Sequence, residues 1–183
     1  LKITDAYNAF TEGEILIAEA GTGLGKSLAY LSSGFLAVRQ NDLSLVVSTY
    51  TKNLQNQLFT KDIPKLSESI DHDLNAVIYK GRYNYICQTR LERLLSNYQH
   101  LLKSNDYENI IPLIVWEWET KTGDINECSG FQMNRHKRIW SLLRSERGFC
   151  SPRRCKNFDG CYLENVRTKV EDAHIIIINH SLF

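Results

Sequence analysis

The stretch that most constrains this chain is Ala20-Gly21-Thr22-Gly23-Leu24-Gly25-Lys26-Ser27. It follows an apolar run, Ile15-Leu16-Ile17-Ala18, and leads into a helical pattern from Leu28 to Val38. A buried strand, a glycine-rich turn and a helix start together make a cradle for phosphate. Glycines let backbone N–H groups approach an anion closely, and the helix end adds a favourable dipole. In such a loop Lys26 reaches the terminal phosphates and the Ser27 hydroxyl holds Mg²⁺. The first glycine of the strict pattern is replaced by Ala20, while the Gly25-Lys26-Ser27 end is intact. A glycine-rich turn with an incidental lysine is the competing reading, and the flanking strand and helix patterns weigh against it. The loop specifies a nucleotide such as ATP, and not what that nucleotide drives.

The rest of the first 80 residues fits a parallel sheet. Residues 1–12 form an amphipathic helix pattern with Ile3, Ala6, Tyr7 and Phe10 on one face. Leu43-Ser44-Leu45-Val46-Val47-Ser48 and Ala76-Val77-Ile78-Tyr79 are apolar and β-branched, as central parallel strands are. A helix beginning at Leu54 separates them, so the order β-α-β-α-β implies right-handed crossovers. Ligands then belong at the C-terminal strand ends, where the glycine-rich loop and Thr49–Asn53 lie.

After Lys80-Gly81 the character changes. Residues 88–147 hold no convincing strand, and helical patterns run over 90–102, 110–121 and 134–147. A helix over 163–171 then leads to Ala173-His174-Ile175-Ile176-Ile177-Ile178-Asn179, a buried strand. The fold class expected is α/β: a parallel sheet over residues 1–80, a mainly helical insert over 81–165, and a return to the sheet over 166–183. No run approaches the ~18 apolar residues of a membrane span. Leu1-Lys2-Ile3-Thr4-Asp5 has neither a starting methionine nor the look of a signal peptide, and Phe183 closes an apolar run. The expectation is a segment of a longer, cytoplasmic protein without membrane contact.

Five cysteines punctuate the second half: Cys87, Cys128, Cys150, Cys155 and Cys161. An odd number, with three crowded into one loop, suits a metal centre better than a disulfide framework. Cys150, Cys155 and Cys161 need a fourth partner from afar, and Cys87, where the chain leaves the sheet, is the natural one. Four thiolates suit tetrahedral zinc or an iron–sulfur cluster. The spacing is unlike the paired C-x-x-C of zinc ribbons, which favours iron–sulfur. Cys128, in a polar stretch with no nearby thiol, reads as a spare.

Net charge is only +1, yet residues 135–156 carry eight Lys/Arg against one Asp/Glu. A polyanion would be drawn there, or the segment is a solvated basic face. Trp140, Phe149, Phe158 and Tyr162 lie nearby, and packing within the insert explains them better than base stacking. Trp116 and Trp118, two apart on a helix, face different directions, so one belongs to the core.

In this order the motifs resemble the XPD/DinG group of superfamily 2 DNA helicases. The residues that carry the resemblance are Ala20–Ser27, Ser48-Thr49-x-Thr51-x-Asn53-Leu54-Gln55-x-Gln57-Leu58, Gly81-Arg82-Tyr83-Asn84-Tyr85-x-Cys87, the cysteine trio, and Ala173-His174 through Asn179-His180-Ser181-Leu182. It is greatest toward bacterial DinG-like ATP-dependent enzymes and implies a RecA-like P-loop motor domain with a [4Fe–4S] insert and 5′-to-3′ unwinding of DNA. It assigns Lys26 and Ser27 to phosphate and Mg²⁺, and Cys87, Cys150, Cys155 and Cys161 to the cluster. Thr49, Thr51, Gln55 and Arg82 fall where the group contacts single-stranded or forked DNA. It also implies that the acidic Walker B stretch and the second motor domain are not among these 183 residues, so this segment alone is expected to hydrolyse no ATP. A non-catalytic, zinc-stabilised nucleic-acid-binding module is the alternative; it accounts for the cysteines and the basic segment but not for the phosphate loop.

Overall fold

The computed structural model describes residues 3–21, 23, 25–39, 43–150, 155, 157 and 159–182. The chain divides into two compact units, one comprising 1–80 with 169–183, the other 81–168.

The first unit is a three-stranded parallel sheet with helices. Its helices are α1 (Ile3–Glu12), α2 (Lys26–Arg39), α3 (Lys52–Gln57) and α4 (Ile63–Ile70). Its strands are β1 (Leu45–Thr49), β2 (Ala76–Tyr79) and β3 (Ile175–Asn179), in the order β1-β3-β2. The last strand in sequence is therefore the central one, with Leu45 and Ala76 both in register with Ile175. An all-isoleucine run suits that position, because a central parallel strand has no solvated edge. Ile175 and Ile177 are fully buried, and with Leu45, Val47, Leu31, Phe35 and Leu66 they form one core. Helix α2 crosses β1 at Gly34, where an added Cβ would lie 2.5 Å from Leu45 Cδ1. The helical run from Lys52 to Ile70 is continuous but passes through a π-turn at Leu58–Asp62, just ahead of Pro64. Proline donates no backbone N–H, and the wider turn accommodates the lost bond.

The anticipated strand at Ile15–Ala18 does not form. Ile15 and Ile17 are 93% and 92% exposed, and the segment from Glu14 to Ala20 makes no ladder with any described strand. Apolarity makes a strand only where a neighbour takes its N–H and C=O groups, and here none does.

The second unit contains α5 (Gln88–Ser96), α6 (Tyr98–Leu101), α7 (Tyr107–Glu119), α8 (Lys137–Leu143) and most of α9 (Tyr162–Glu171). The patterns expected over 90–102 and 134–147 are shorter as helices, the first breaking at Asn97 and the second confined to α8. Ile86, Leu91, Leu94, Leu113, Ile139, Trp140 and Leu143 are the centre of its core. Trp116 packs against that core and Trp118 is 82% exposed. Two isolated antiparallel bridges, Tyr85 to Asp124 and Ile86 to Arg144, stitch the entry of the unit to its later loops. Arg90 fastens the end of α8, donating to the carbonyls of Leu142 (2.9 Å) and Ser141 (2.7 Å) and to Glu146 Oε2 (2.7 Å). A guanidinium at a helix C-terminus satisfies carbonyls that have no intrahelical partner.

Candidate phosphate loop and cysteine cluster

The glycine-rich loop ends on the first residue of α2. Gly23 and Gly25 have φ of +80° and +71°, with open space where a Cβ would stand. Their glycine identity is thus required by backbone conformation rather than by crowding. Ala29 N–H bonds the Gly25 carbonyl at 3.0 Å, so the helix starts immediately after the loop. Lys26 folds back and donates from Nζ to the Ala20 carbonyl at 2.6 Å. Its ammonium thereby spans the loop's mouth beside the α2 N-terminus, where an anion is favoured. Burial pushes the Tyr30 hydroxyl up, and the neighbouring Ser27 side chain pulls the other way. Thr22 and Leu24, also assigned to the loop, lie outside the described residues.

The residues proposed for DNA divide by exposure. Thr49 is 3% exposed, its hydroxyl donating to the Thr51 carbonyl at 3.4 Å. Thr51 is exposed and caps α3, its Oγ1 accepting from Leu54 N–H at 3.3 Å. Gln55 is 2% exposed and its amide nitrogen is buried without a described partner. The side chains of Thr49 and Gln55 therefore offer no surface to a strand. The helical period explains the second: Gln55 shares the inward face of the run with Leu58, three residues on. Arg82 is half-buried at the start of the turn Arg82–Asn84. Sequence reasoning had no signal for Tyr50, which stands 80% exposed between the two threonines.

In the second unit, Cys87, Cys150, Cys155 and Cys161 are all free and partly exposed. Cys87 is the N-cap of α5, and its N–H bonds the Leu143 carbonyl at 2.8 Å. Cys161 precedes α9, and its sulfur accepts from Glu164 N–H at 3.4 Å. Thr89 Oγ1 lies 3.4 Å from Cys155 Sγ. Burial pushes the Cys87 and Cys161 thiols up, each is raised further by the charges of Cys150 and Cys155, and N–H donors from Arg90 and Glu164 oppose this. Cys87 and Cys161 thus each sense Cys150 and Cys155. Even so, among the described residues no three or more Cys, His, Asp or Glu side chains are gathered tightly enough to hold a metal ion. Residues 151–154, 156 and 158 of this loop lie outside the described ones. Cys128 is not in a polar setting: it is 6% exposed in the helical core, its thiol 3.8 Å from the Pro112 carbonyl. The tight turn Asp124–Glu127 sends it inward.

The basic segment is partly committed elsewhere. Arg138 pairs with Asp106 and donates to the Leu101 carbonyl, while Arg144 lies 4.2 Å over the Tyr83 ring and 3.6 Å from Glu146. Arg135, Lys137 and Arg147 are exposed; Arg153, Arg154 and Lys156, like the aromatic Phe158, lie outside the described residues. Trp140 is buried and donates from Nε1 to the Tyr83 carbonyl at 2.8 Å. Phe149 is 58% exposed, with the Arg90 guanidinium 5.3 Å from its ring centre. No helix among the described residues is long and apolar enough to cross a membrane.

No protein-family model matches the chain. Individual proteins do, and over nearly its whole length. These likenesses are to proteins named YoaA and DinG, most of them ATP-dependent helicases by name. It is 33% identical over 96% of its length to the ATP-dependent DNA helicase YoaA of Escherichia coli, and 31% identical over 96% to the ATP-dependent helicase DinG of Mycobacterium tuberculosis. It is 28% identical over its full length to the 3′-5′ exonuclease DinG of Bacillus subtilis. The chain spans about a quarter of the length of the curated relatives it matches, 26% of the first and 19% of the last.

Proposed function

We propose that this chain supplies the phosphate loop and the cysteine-bearing insert of an ATP-driven motor that moves 5′-to-3′ on single-stranded DNA and parts duplexes at forks. The single observation that carries this is the Lys26 ammonium held on the Ala20 carbonyl, across a two-glycine left-handed turn at the start of α2. On nucleotide binding Lys26 exchanges that carbonyl for the β- and γ-phosphate oxygens, and the backbone N–H groups of Ala20–Ser27 close around them. The Ser27 hydroxyl, one residue on, would then be the ligand to Mg²⁺. Nucleotide, Mg²⁺ and strand thus meet at the C-terminal ends of the strands, where Thr51 and its loop offer hydroxyl and N–H groups to phosphates. Such contacts position a strand without reading its sequence. Residues 1–80 and 166–183 are the motor part and 81–165 the insert, in a protein working in the cytoplasm.

Cys87, Cys150, Cys155 and Cys161 fit a [4Fe–4S] cluster in kind: four thiols outside any disulfide, Cys87 and Cys161 at helix starts and the Cys161 sulfur accepting from the Glu164 N–H. When bound, the cluster adds four thiolate bonds that tie the two ends of the insert together. Arg82 at that base then stands beside the strand.

In the full-length protein, ATP hydrolysis should rise on adding single-stranded DNA and vanish with Lys26→Ala, and strand-displacement substrates with a 5′ or a 3′ tail decide the polarity. Hydrolysis unaffected by DNA would overturn the motor. The isolated 183-residue chain should hydrolyse none. Anaerobic purification should give about four irons per chain; stoichiometric zinc without iron would point to the non-catalytic nucleic-acid-binding module instead.

A further inference from the structure

The edge of the sheet carries one large aromatic to which none of the above gives a role. Tyr50 follows β1 directly and is 80% exposed, yet the backbone on both sides of it is tied down. Its own carbonyl accepts from Asn179 Nδ2 at 3.1 Å, and Asn179 Oδ1 is in turn held by the Ser181 N–H (3.0 Å) and hydroxyl (2.9 Å). Thr49 before it is buried and bonded to the Thr51 carbonyl, and Thr51 after it caps α3. Beside the phenol ring stands His180, ring centres 6.3 Å apart and planes at 54°. The imidazole is itself fixed, its Nδ1 2.5 Å from Ser48 Oγ. A flat apolar ring is thus presented to solvent on a rigid frame, at the strand ends where the proposed track lies.

We infer that Tyr50 is a base-stacking residue, and that a nucleobase of the single strand lies on its open face while His180 acts as the positioning residue at its side. This rests on the DNA-motor reading and extends it: the loop otherwise offers only groups suited to phosphates, and a ring adds a contact to the base. Rigidity matters, because an aromatic already ordered loses little freedom when a base settles on it. Every base has a π-face, so the contact holds the strand without selecting sequence.

The test uses the full-length protein and two fluorescent strands of equal length, oligo-dT and a wholly abasic sugar-phosphate chain, with affinity read by anisotropy. Tyr50→Ala should bind oligo-dT about 5- to 150-fold more weakly, while Tyr50→Phe, which keeps the ring, should bind as wild type does. On the abasic strand wild type and Tyr50→Ala should bind equally. His180→Ala should fall between them on oligo-dT only. Equal affinity of wild type and Tyr50→Ala for oligo-dT overturns the proposal, and so does an equal loss on both strands, which would mark a backbone or structural role. A wild-type protein that binds neither strand overturns the motor reading itself, and that result is distinct from the other two.

Discussion

Gly123→Ala should unfold the helical insert at markedly lower denaturant. Gly123 sits at φ +66°, and an added Cβ would fall 2.3 Å and 2.4 Å from Tyr162 Cγ and Cδ2. Its N–H donates to Thr120 Oγ1 and its carbonyl accepts from Ile86 N–H, so the backbone cannot swing away without losing both bonds. The left-handed conformation costs an L-residue ~1–2 kcal/mol, and forcing a methyl against a packed ring ~1–3 kcal/mol. Together these make ~2–5 kcal/mol, which with a urea slope of about 2 kcal/mol per molar moves the midpoint down by about 1–2.5 M. All three tryptophans, Trp116, Trp118 and Trp140, belong to the insert, so fluorescence follows this unit alone. Adding Tyr162→Ala should recover the steric share and leave the conformational share, giving a coupling of ~1–3 kcal/mol in a double-mutant cycle. A midpoint within about 0.3 M of wild type, less than ~1 kcal/mol by the same slope, would refute the reasoning. Tyr162 adjoins Cys161, so the same substitution should also lower retained metal.

Trp140→Phe leaves the Tyr83 carbonyl without its donor and should cost ~1–3 kcal/mol of insert stability, read by circular dichroism melting. Cys128→Ser puts a hydroxyl into an apolar core and should destabilise by about 1–3 kcal/mol with metal content unchanged, whereas Cys155→Ser should lose metal. The Arg90 hydrogen bond to Glu146, with Arg90 and Arg144 charges behind it, lowers that carboxyl below the usual range. A lowered folded-state pKa gives stability that is present above the unfolded value and lost as pH falls through the folded one. The urea midpoint should therefore drop on acidification more in wild type than in Glu146→Gln.

What the residues revealed in advance depended on whether a feature is local. Three strands were legible because a β-branched run states its own burial, and Ile175–Asn179 could be little else. Ile15–Ala18 carries the same composition and is not a strand here, because pairing belongs to neighbours and not to the run. The glycine-rich loop was legible as a loop, but the left-handed backbone at Gly23 and Gly25 is visible only in the structure. Gln55 was the opposite case: a motif names a segment, but the helical period decides which of its side chains reach the surface. Cys128 shows the same, a polar stretch turned inward by one short helix. Of the other four cysteines, three drew notice by crowding and Cys87 by its place at the start of the unit, while the distances between them depend on a loop whose path no spacing rule gives.

The central place of β3 has a consequence for how the molecule is made. Among the described residues β1 and β2 do not pair with each other, and each pairs only with β3. A growing chain therefore carries two unpaired strands while residues 80–174 are synthesised, and its sheet can close only when 175–179 emerge. The contacts within 81–168 are available earlier, so the insert can fold first and bring its two ends near one another. That shortens the loop to be closed, and its entropic cost falls with it. Anything that fastens the cysteines early, before the ribosome delivers the isoleucine strand, would then speed completion of the sheet, and its lack would leave two exposed β-edges waiting.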